Sequence, residues 1–431
     1  MIISAMSTQR MARSYYVKET DLVLICTKAK QNLLNTKLFY CFLLYICIQK
    51  TKNYYRFFTM NKIAIIGGSY LQLPVVRKAK DLGLEVHCFS WREGTVCDKE
   101  ADYYYPISII KKEEILKVCQ DIGINGILTI ASDVAVPTVN YVATEMGLIG
   151  NSSKYSAMMT NKYQMRTSFS EHGIPSPSYK LVKSRDNIYE DSLKWPLIVK
   201  PTDRSGSLGV EKVYDISHLY SAIDEAVSDS FNKEAIVEEY VDGLEISIES
   251  ISWNGRHYVL QITDKVTTGE PYFVETEHHQ PSCLPDNIQK RIRELVPKAL
   301  DALHIKYGAS HSEMKITPSG ELVFIEIGAR MGGDFIGSTL VQLSTGYDYL
   351  KGVIDVALGH FEEPIITKHA CSGVYFLSEE TSFLRKYMDS PELIGEVVTA
   401  EYTDHELRKI KSSGDRSGYL IYNADKRIIL K

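Results

Sequence analysis

Two acids on one hairpin are the residues of this chain best placed to do chemistry. Glu313 stands in the run 309–317 and Glu326 in the run 322–330, with Thr317-Pro318-Ser319-Gly320 between them. Both flanks are strand-like and the Pro/Ser/Gly segment is a turn, so the stretch reads as a hairpin. If Thr317 pairs with Gly320, Glu313 faces Phe324, and Glu326 lies two residues further along the same strand. Side chains alternate faces, so both carboxylates emerge on one face as diagonal neighbours. Two acids on one face repel unless a cation lies between them. Hard divalent ions, Mg²⁺ above all, take carboxylate and phosphate oxygens together. The competing reading is a solvated polar face.

Further residues point to an anion. Lys200 ends the apolar strand of Trp195-Pro196 to Pro201, so it sits at a sheet edge or holds an anion. Residues 202–210 follow, where Gly206 and Gly209 let the backbone fold over a ligand and Ser205 and Ser207 add donors. Consecutive amides in such a loop form a nest for phosphate; an ordinary hairpin tip is the alternative. Glu238, Glu239 and Glu245 lie on otherwise apolar strands flanking a turn at Asp242-Gly243. Buried charge is costly, and a nucleotide offers such acids partners. Arg330 follows Glu326 among small residues, and its planar fork suits phosphate or carboxylate. A structural ion pair with Asp334 is the bland alternative.

The elements that must hold these groups fall into two textures. Strands at Lys62–Ile66, Glu85–Phe89 and Gly126–Ile130 alternate with helical stretches at Leu71–Leu82, Ile115–Gln120 and Val134–Met146. That alternation gives a parallel sheet with right-handed crossovers. Gly67-Gly68-Ser69 is half a dinucleotide fingerprint without its third glycine or a following acid, so a tight packing turn is the better reading. Residues 151–173 read as helical, and Ile174-Pro175-Ser176-Pro177 as a linker. Beyond it come strands, hairpins and glycine loops to about Gly359, then a strand-rich tail with segments such as Gly373–Leu377 and Gly418–Tyr422.

Taken together, Lys162 in its Asn-Lys-Tyr-Gln-Met-Arg run, Lys200, the Ser/Gly loop, Glu238-Glu239-Tyr240-Val241, Glu313 and the Glu326–Arg330 run resemble the ATP-grasp superfamily in order and spacing. The resemblance covers residues 60–430. Residues 275–282 and 328–335 are similar to its carboxylate–amine ligases, including bacterial L-amino acid ligases. It implies a mixed α/β and α+β fold: an ATP-grasp fold behind an N-terminal Rossmann-like parallel-sheet domain. The expected divisions are a 1–59 extension, a 60–150 N-terminal domain, a 151–360 ATP-grasp domain and a 361–431 segment completing it. The resemblance assigns Lys162 and Lys200 to ATP phosphates and residues Ser205, Gly206 and Ser207 to the loop closing over them. Glu238, Tyr240 and Val241 would form the adenine hinge, mostly through backbone, and Glu245 would hold the ribose. Glu313 and Glu326 would hold Mg²⁺, with Mn²⁺ as an alternative. Arg330 would bind substrate carboxylate and acyl-phosphate, and His278 or His279, read as loop residues, the acceptor. Gly328 departs from the pattern: many relatives carry a metal-binding Asn there.

The implied activity is an ADP-forming carboxylate–amine ligase with small-molecule substrates, cytoplasmic, with pairing into a homodimer common among relatives. Specificity is expected in loops at Lys265–Ser282 and Gly332–Ser344. The rivals are carboxyphosphate chemistry of the carbamoyl-phosphate-synthase or biotin-carboxylase kind, disfavoured by a single unrepeated unit with no biotin carrier, and a nucleotide-binding module without turnover.

Composition agrees with a globular chain: 431 residues, 44% hydrophobic and 24% charged, enough for two or three domains. Residues 1–59 carry nine Lys/Arg against Glu19 and Asp21, or +7, so a total of −5 leaves −12 for the remainder. An acidic body argues against nucleic-acid binding. The eight cysteines show no metal-ligand spacing and read as reduced thiols. The apolar run within 33–48 is short for a membrane span and too far from the start for a signal peptide, so a membrane anchor is the weaker reading. Met60 opens a segment that reads like a protein start, and translation is expected to begin there. The intact mass of natively expressed protein checks this: a mass including residues 1–59 contradicts it.

Overall fold

Ile63, Ala64, Ile65 and Ile66 leave no polar face, so the first strand must be covered on both sides, as in parallel sheets. The computed structural model describes residues 60–185, 193–206 and 208–431, and Asn61–Lys431 forms one compact unit. The first 59 residues, and with them the expected extension, lie outside the described residues. Lys62–Ile66 (β1), Glu85–Phe89 (β2), Tyr103–Tyr105 (β3) and Gly126–Leu128 (β4) form a parallel sheet in the order β3-β2-β1-β4. Helix Leu73–Asp81 joins β1 to β2, helix Lys112–Ile122 joins β3 to β4, and helix Val136–Met146 follows β4. Gly67 turns at φ 113°, and a Cβ on Gly68 would meet Thr95 Oγ1 at 2.6 Å and Ser90 Cβ at 2.9 Å. The glycine pair is a packing turn.

A second sheet is antiparallel. Tyr179–Val182 (β5), Leu197–Pro201 (β6), Glu211–Val213 (β7) and Ala235–Glu239 (β8) run in the order β5-β8-β6-β7. Helix Ile216–Asp229, capped by the Asp215 carboxylate, covers its apolar face.

The third sheet has eight strands: Leu244–Trp253 (β9), Arg256–Thr267 (β10), Glu275–Gln280 (β11), Gly308–Ile316 (β12), Leu322–Gly328 (β13), Cys371–Leu377 (β14), Val397–Tyr402 (β15) and Gly418–Ala424 (β16). Their order is β13-β12-β9-β10-β11-β14-β16-β15, so strands on both sides of residue 360 share one sheet. Ile246, Ile248, Ile262, Met314 and Phe324 pack with the helix Asp286–Ala302 in one buried cluster. The alternate residues of the same strands, Glu245, Ser247 and Glu249 on β9 and His311 and Glu313 on β12, share the opposite face through the pairs His311–Glu249 and Glu313–Ser247.

The hairpin does not close as the sequence suggests. Thr317 N–H bonds the Glu321 carbonyl at 3.0 Å, with Gly320 at φ 81° in a three-residue loop. Ile316 therefore pairs with Leu322 and Met314 with Phe324. That register alone would set Glu313 against Ile325 and turn Glu326 to the other face. A bulge at Ile325 intervenes, and Glu313 pairs directly with Glu326. The two acids are opposite each other rather than diagonal, and they share a face because of the bulge.

The turn joining β8 to β9 depends on Gly243 (φ 147°), where a Cβ would meet the Ile316 carbonyl oxygen at 2.1 Å. Gly243→Ala is expected to destabilise the unit by about 2–4 kcal/mol. Urea unfolding checks this, and a midpoint matching the wild type contradicts it.

Candidate functional site

Lys162 opens the helix Lys162–Glu171, whose first turn is capped by Asn161 accepting from Gln164 N–H at 3.0 Å. From there its ammonium donates to the Arg204 carbonyl at 2.6 Å and pairs with Glu326 at 2.8 Å. It links the 202–206 loop to one of the paired acids. One turn along the same helix, Arg166 is completely buried. It pairs with Glu238 at 2.7 Å and donates to the carbonyl of Ile325, the bulged residue. Lys200, also buried, pairs with the other Glu238 oxygen at 2.6 Å. Two cations thus share one carboxylate. Burial would raise the Glu238 carboxyl, but Arg166 and Lys200 hold it below its ordinary value. Burial lowers the Lys200 ammonium, which Glu238 opposes and the neighbouring Arg166 and Lys162 reinforce. This end of the site has an excess of positive charge.

The opposite imbalance lies on the polar face of the eight-stranded sheet. Lys265, on β10, is buried among Glu313 at 2.7 Å, Glu245 at 2.9 Å and Glu275 at 3.3 Å. Oxygens of these three carboxylates lie within 4.8 Å of one another. Burial would lower the Lys265 ammonium, yet Glu313, Glu245 and Glu275 hold it well above its ordinary value. Burial likewise would raise Glu313, but Lys265 and His311 hold it well below the usual carboxylate range. Arg416 also reaches Glu275 at 3.3 Å and His311 lies 3.3 Å from Glu313, and three carboxylates gathered this closely offer the oxygens that a hard divalent cation takes. Glu313 faces Glu326 across the hairpin, and carboxylate oxygens of this kind fit such an ion.

Arg330 does not pair with Asp334. Its Nε and Nη2 grip Asp133, from the segment after β4, at 2.9 and 2.7 Å, and Nη1 donates to the Met331 carbonyl at 3.0 Å. Three of the five guanidinium N–H groups are used, leaving two for a ligand. Burial would lower the Arg330 guanidinium, but Asp133 raises it further above its ordinary value. The Asp133–Arg330 pair also explains Gly328. A Cβ there would meet Asp133 Oδ1 at 2.6 Å and Arg330 Cζ at 3.0 Å, so an Asn would have to displace that ion pair. Asp334 instead pairs with Arg416, from the loop before β16, at 2.7 Å and lies 3.9 Å from His278.

Other expectations need correction. His278 and His279 are buried strand residues on β11, not loop residues, and neighbours on a strand face opposite ways. His278 opposes Lys265 and faces the polar side; His279 packs between Tyr375 and Tyr422 and bonds the Tyr422 hydroxyl at 2.9 Å. Lys265–Thr267 and Glu275–Gln280 are likewise strand, so only part of Lys265–Ser282 is loop. Glu238 and Glu245 have protein partners, so a nucleotide is not needed to neutralise them. The Glu239 and Tyr240 N–H groups are engaged by the Ser178 and Pro196 carbonyls, both at 3.0 Å. A hinge through backbone is left with Val241 N–H and with carbonyls. The Tyr240 ring lies under Lys212 Nζ at 3.5 Å. Ser205 and Gly206 are exposed at the loop tip, and Ser207 lies outside the described residues.

Lys265, Arg166, Asp133, Glu275 and Arg416 were not anticipated from the sequence. Lys265 lies next to Asp264 on a strand that also carries Arg256, His257 and Gln261, so its burial gave no local signal. Asp133 and Arg416 had none, because their partners are remote in the chain.

The sequence profile described as the ATP-grasp domain matches residues 193–338. The chain carries an ATP-grasp domain. The match spans β6 to the Arg330 loop, with Lys200, Glu238, Lys265, Glu313 and Glu326 inside it. The chain is 27% identical over 245 residues to alanine–anticapsin ligase of Bacillus subtilis strain 168, covering 51% of each chain. It is 25% identical over 278 residues to an L-arginine-specific L-amino acid ligase of Bacillus subtilis, covering 60% of this chain and 63% of the relative. With the 51% and 63% shares, this chain matches only about half to three-fifths of these relatives' length. The crystal structure of an L-amino acid ligase from Bacillus licheniformis superposes with TM-score 0.71 at 22% identity, covering 85% of this chain and 94% of that one, and shows the same fold. Among the described residues no helix is long and apolar enough to cross a membrane.

Removing the shared carboxylate of the ATP-grasp domain leaves two buried cations unpaired. Glu238→Gln is expected to cost about 3–5 kcal/mol of stability. Thermal and denaturant unfolding check this, and an unchanged stability contradicts it.

Proposed function

We propose that this chain is an ATP-dependent ligase that activates a carboxylate, an amino acid in this reading, as an acyl-phosphate and joins it to an amine, releasing ADP. The observation that carries the proposal is the charge separation along the site: an anion-seeking end at Arg166, Lys200 and Lys162, and a cation-seeking end at Glu245, Glu275 and Glu313. A nucleotide's phosphate chain with its divalent ion complements both at once. The sequence relatives, ligases of amino acids by name, support the same reading.

Lys162 and Lys200 would bind and orient phosphate oxygens, and Lys265 would join them once Glu313 turns to the metal. Glu313 and Glu326 would hold Mg²⁺, which when bound neutralises phosphate charge. Glu245 would meet the ribose, and Tyr240 and Val241 would border the base. The two unused N–H groups of Arg330 would align the substrate carboxylate. In the first step a carboxylate oxygen attacks the γ-phosphorus and the bond to ADP breaks. In the second the amine nitrogen attacks the acyl carbon, phosphate leaves, and the nitrogen loses a proton. Both steps depend on positioning and charge stabilisation more than on covalent help from the protein.

Glu326→Gln is expected to keep the fold and lower ATP turnover on the order of 10²–10³-fold. ADP release across amino acids, singly and in pairs, tests the activity itself. Release that depends on an amino-acid pair supports the ligase. Release with bicarbonate alone points to carboxyphosphate chemistry, and nucleotide binding with no ADP across the screen overturns the proposal.

A further inference from the structure

One buried acid of the polar face has no part in the scheme above. Glu249, on β9, is fully buried and opposes His311 in the ladder. Both of its oxygens are engaged. Oε1 meets His311 Nδ1, and Oε2 accepts the Gly332 N–H at 3.0 Å. The other nitrogen of His311 lies 3.3 Å from Glu313 Oε1. One side chain therefore reaches a proposed metal ligand through His311 on one side and the loop after Arg330 on the other.

The loop is built to receive this contact. A Cβ on Gly332 would meet Glu249 Oε1 at 2.6 Å and His311 Nδ1 at 2.7 Å, so only glycine lets the backbone come so close. Two and three residues on, Asp334 and Phe335 hold positive φ values of 49° and 67°. Non-glycine residues keep such a conformation only where the surroundings impose it. A buried carboxylate is a poor device for stability, since apolar residues of similar volume usually serve as well. Its worth here is geometric.

We propose that Glu249 is a positioning residue that registers the two halves of the site: it orients Glu313 through His311 and seats the Arg330–Asp334 loop through the Gly332 N–H. The inference rests on the ligase reading only for what Glu313 and Arg330 bind. Its two arms are separable. His311 serves the metal side alone, whereas Glu249 serves both sides.

The test uses the full chain and two readouts other than turnover: Mn²⁺ affinity by electron paramagnetic resonance with a non-hydrolysable ATP analogue, and hydrogen exchange of the 329–338 segment by mass spectrometry. Loss of a partner that orients a metal ligand typically weakens metal binding about 10–100-fold. Glu249→Met is expected to show that loss and also to speed exchange at the Gly332 amide by about tenfold, the value of one lost hydrogen bond. His311→Gln is expected to lose metal affinity to a similar extent with exchange unchanged. Glu249→Gln still offers an oxygen to Gly332 and is expected to restore the exchange protection. Wild-type Mn²⁺ affinity in both His311→Gln and Glu249→Met, or unaltered exchange in Glu249→Met, overturns the proposal. Should Glu249→Met fail to fold, wild-type affinity in both His311→Gln and Glu249→Gln overturns it. A wild-type chain that binds no Mn²⁺–nucleotide complex overturns the ligase reading together with the metal arm, and the exchange result then decides the loop arm by itself.

Discussion

The site depends on one extra residue in a β-ladder. Strand parity is unforgiving: a shift of one residue sends every later side chain to the other face. The turn after Ile316 sets a register that would send Glu326 away from Glu313, and the bulge at Ile325 reverses it. The bulge is held from outside the hairpin. The Ile325 carbonyl accepts from Arg166, and the Phe324 N–H bonds the carbonyl of Pro175 in the linker at 2.9 Å. The helix that supplies Lys162 and Arg166 therefore also maintains the backbone irregularity that aims Glu326 at Lys162.

Around that ladder the charges are distributed unequally rather than cancelled. Each buried ion has at least one partner, as the cost of desolvation requires. The partners are nevertheless mismatched in number: two cations on Glu238, three carboxylates on Lys265. A purely structural network gains nothing from such a mismatch. A network that must accept a cation and a polyanion together does, because the ligands then complete the neutralisation. Asp133 and Arg416 bring in the beginning and the end of the folded unit: the first grips Arg330, the second joins Asp334 and Glu275.

Much of this was legible in the sequence, for identifiable reasons. The strand-and-helix alternation before Met146 stood out because apolar runs and glycine stops are local signals. Lys200, Glu313 and Glu326 stood out because a charge at the inward position of an apolar strand is expensive and needs a reason. The hairpin was found but its closure was misjudged by one residue, since the three-residue turn and the bulge both depend on contacts outside it. The conclusion about the two acids held although the register did not. Arg330 was recognised as a ligand-type arginine, but its partner was sought four residues away and found nearly two hundred residues upstream. The histidines were taken for loop residues because Glu275–Gln280 is too polar to look like a strand; it is one because its polar side chains line an interior that is itself charged.

By itself, then, the sequence determined which residue types would meet and on what kinds of element: acids on a hairpin, a lysine at a strand end and another in a helical stretch, an arginine among small residues. These follow from local propensity and from the periodicity of burial, which act over a few residues. The tertiary structure alone decided which charges pair, which oxygen faces which nitrogen, and that a distant ion pair fills the space a side chain at Gly328 would take. Those outcomes are set by packing between segments far apart in the chain, where a displacement of one ångström or one residue of register changes the partner.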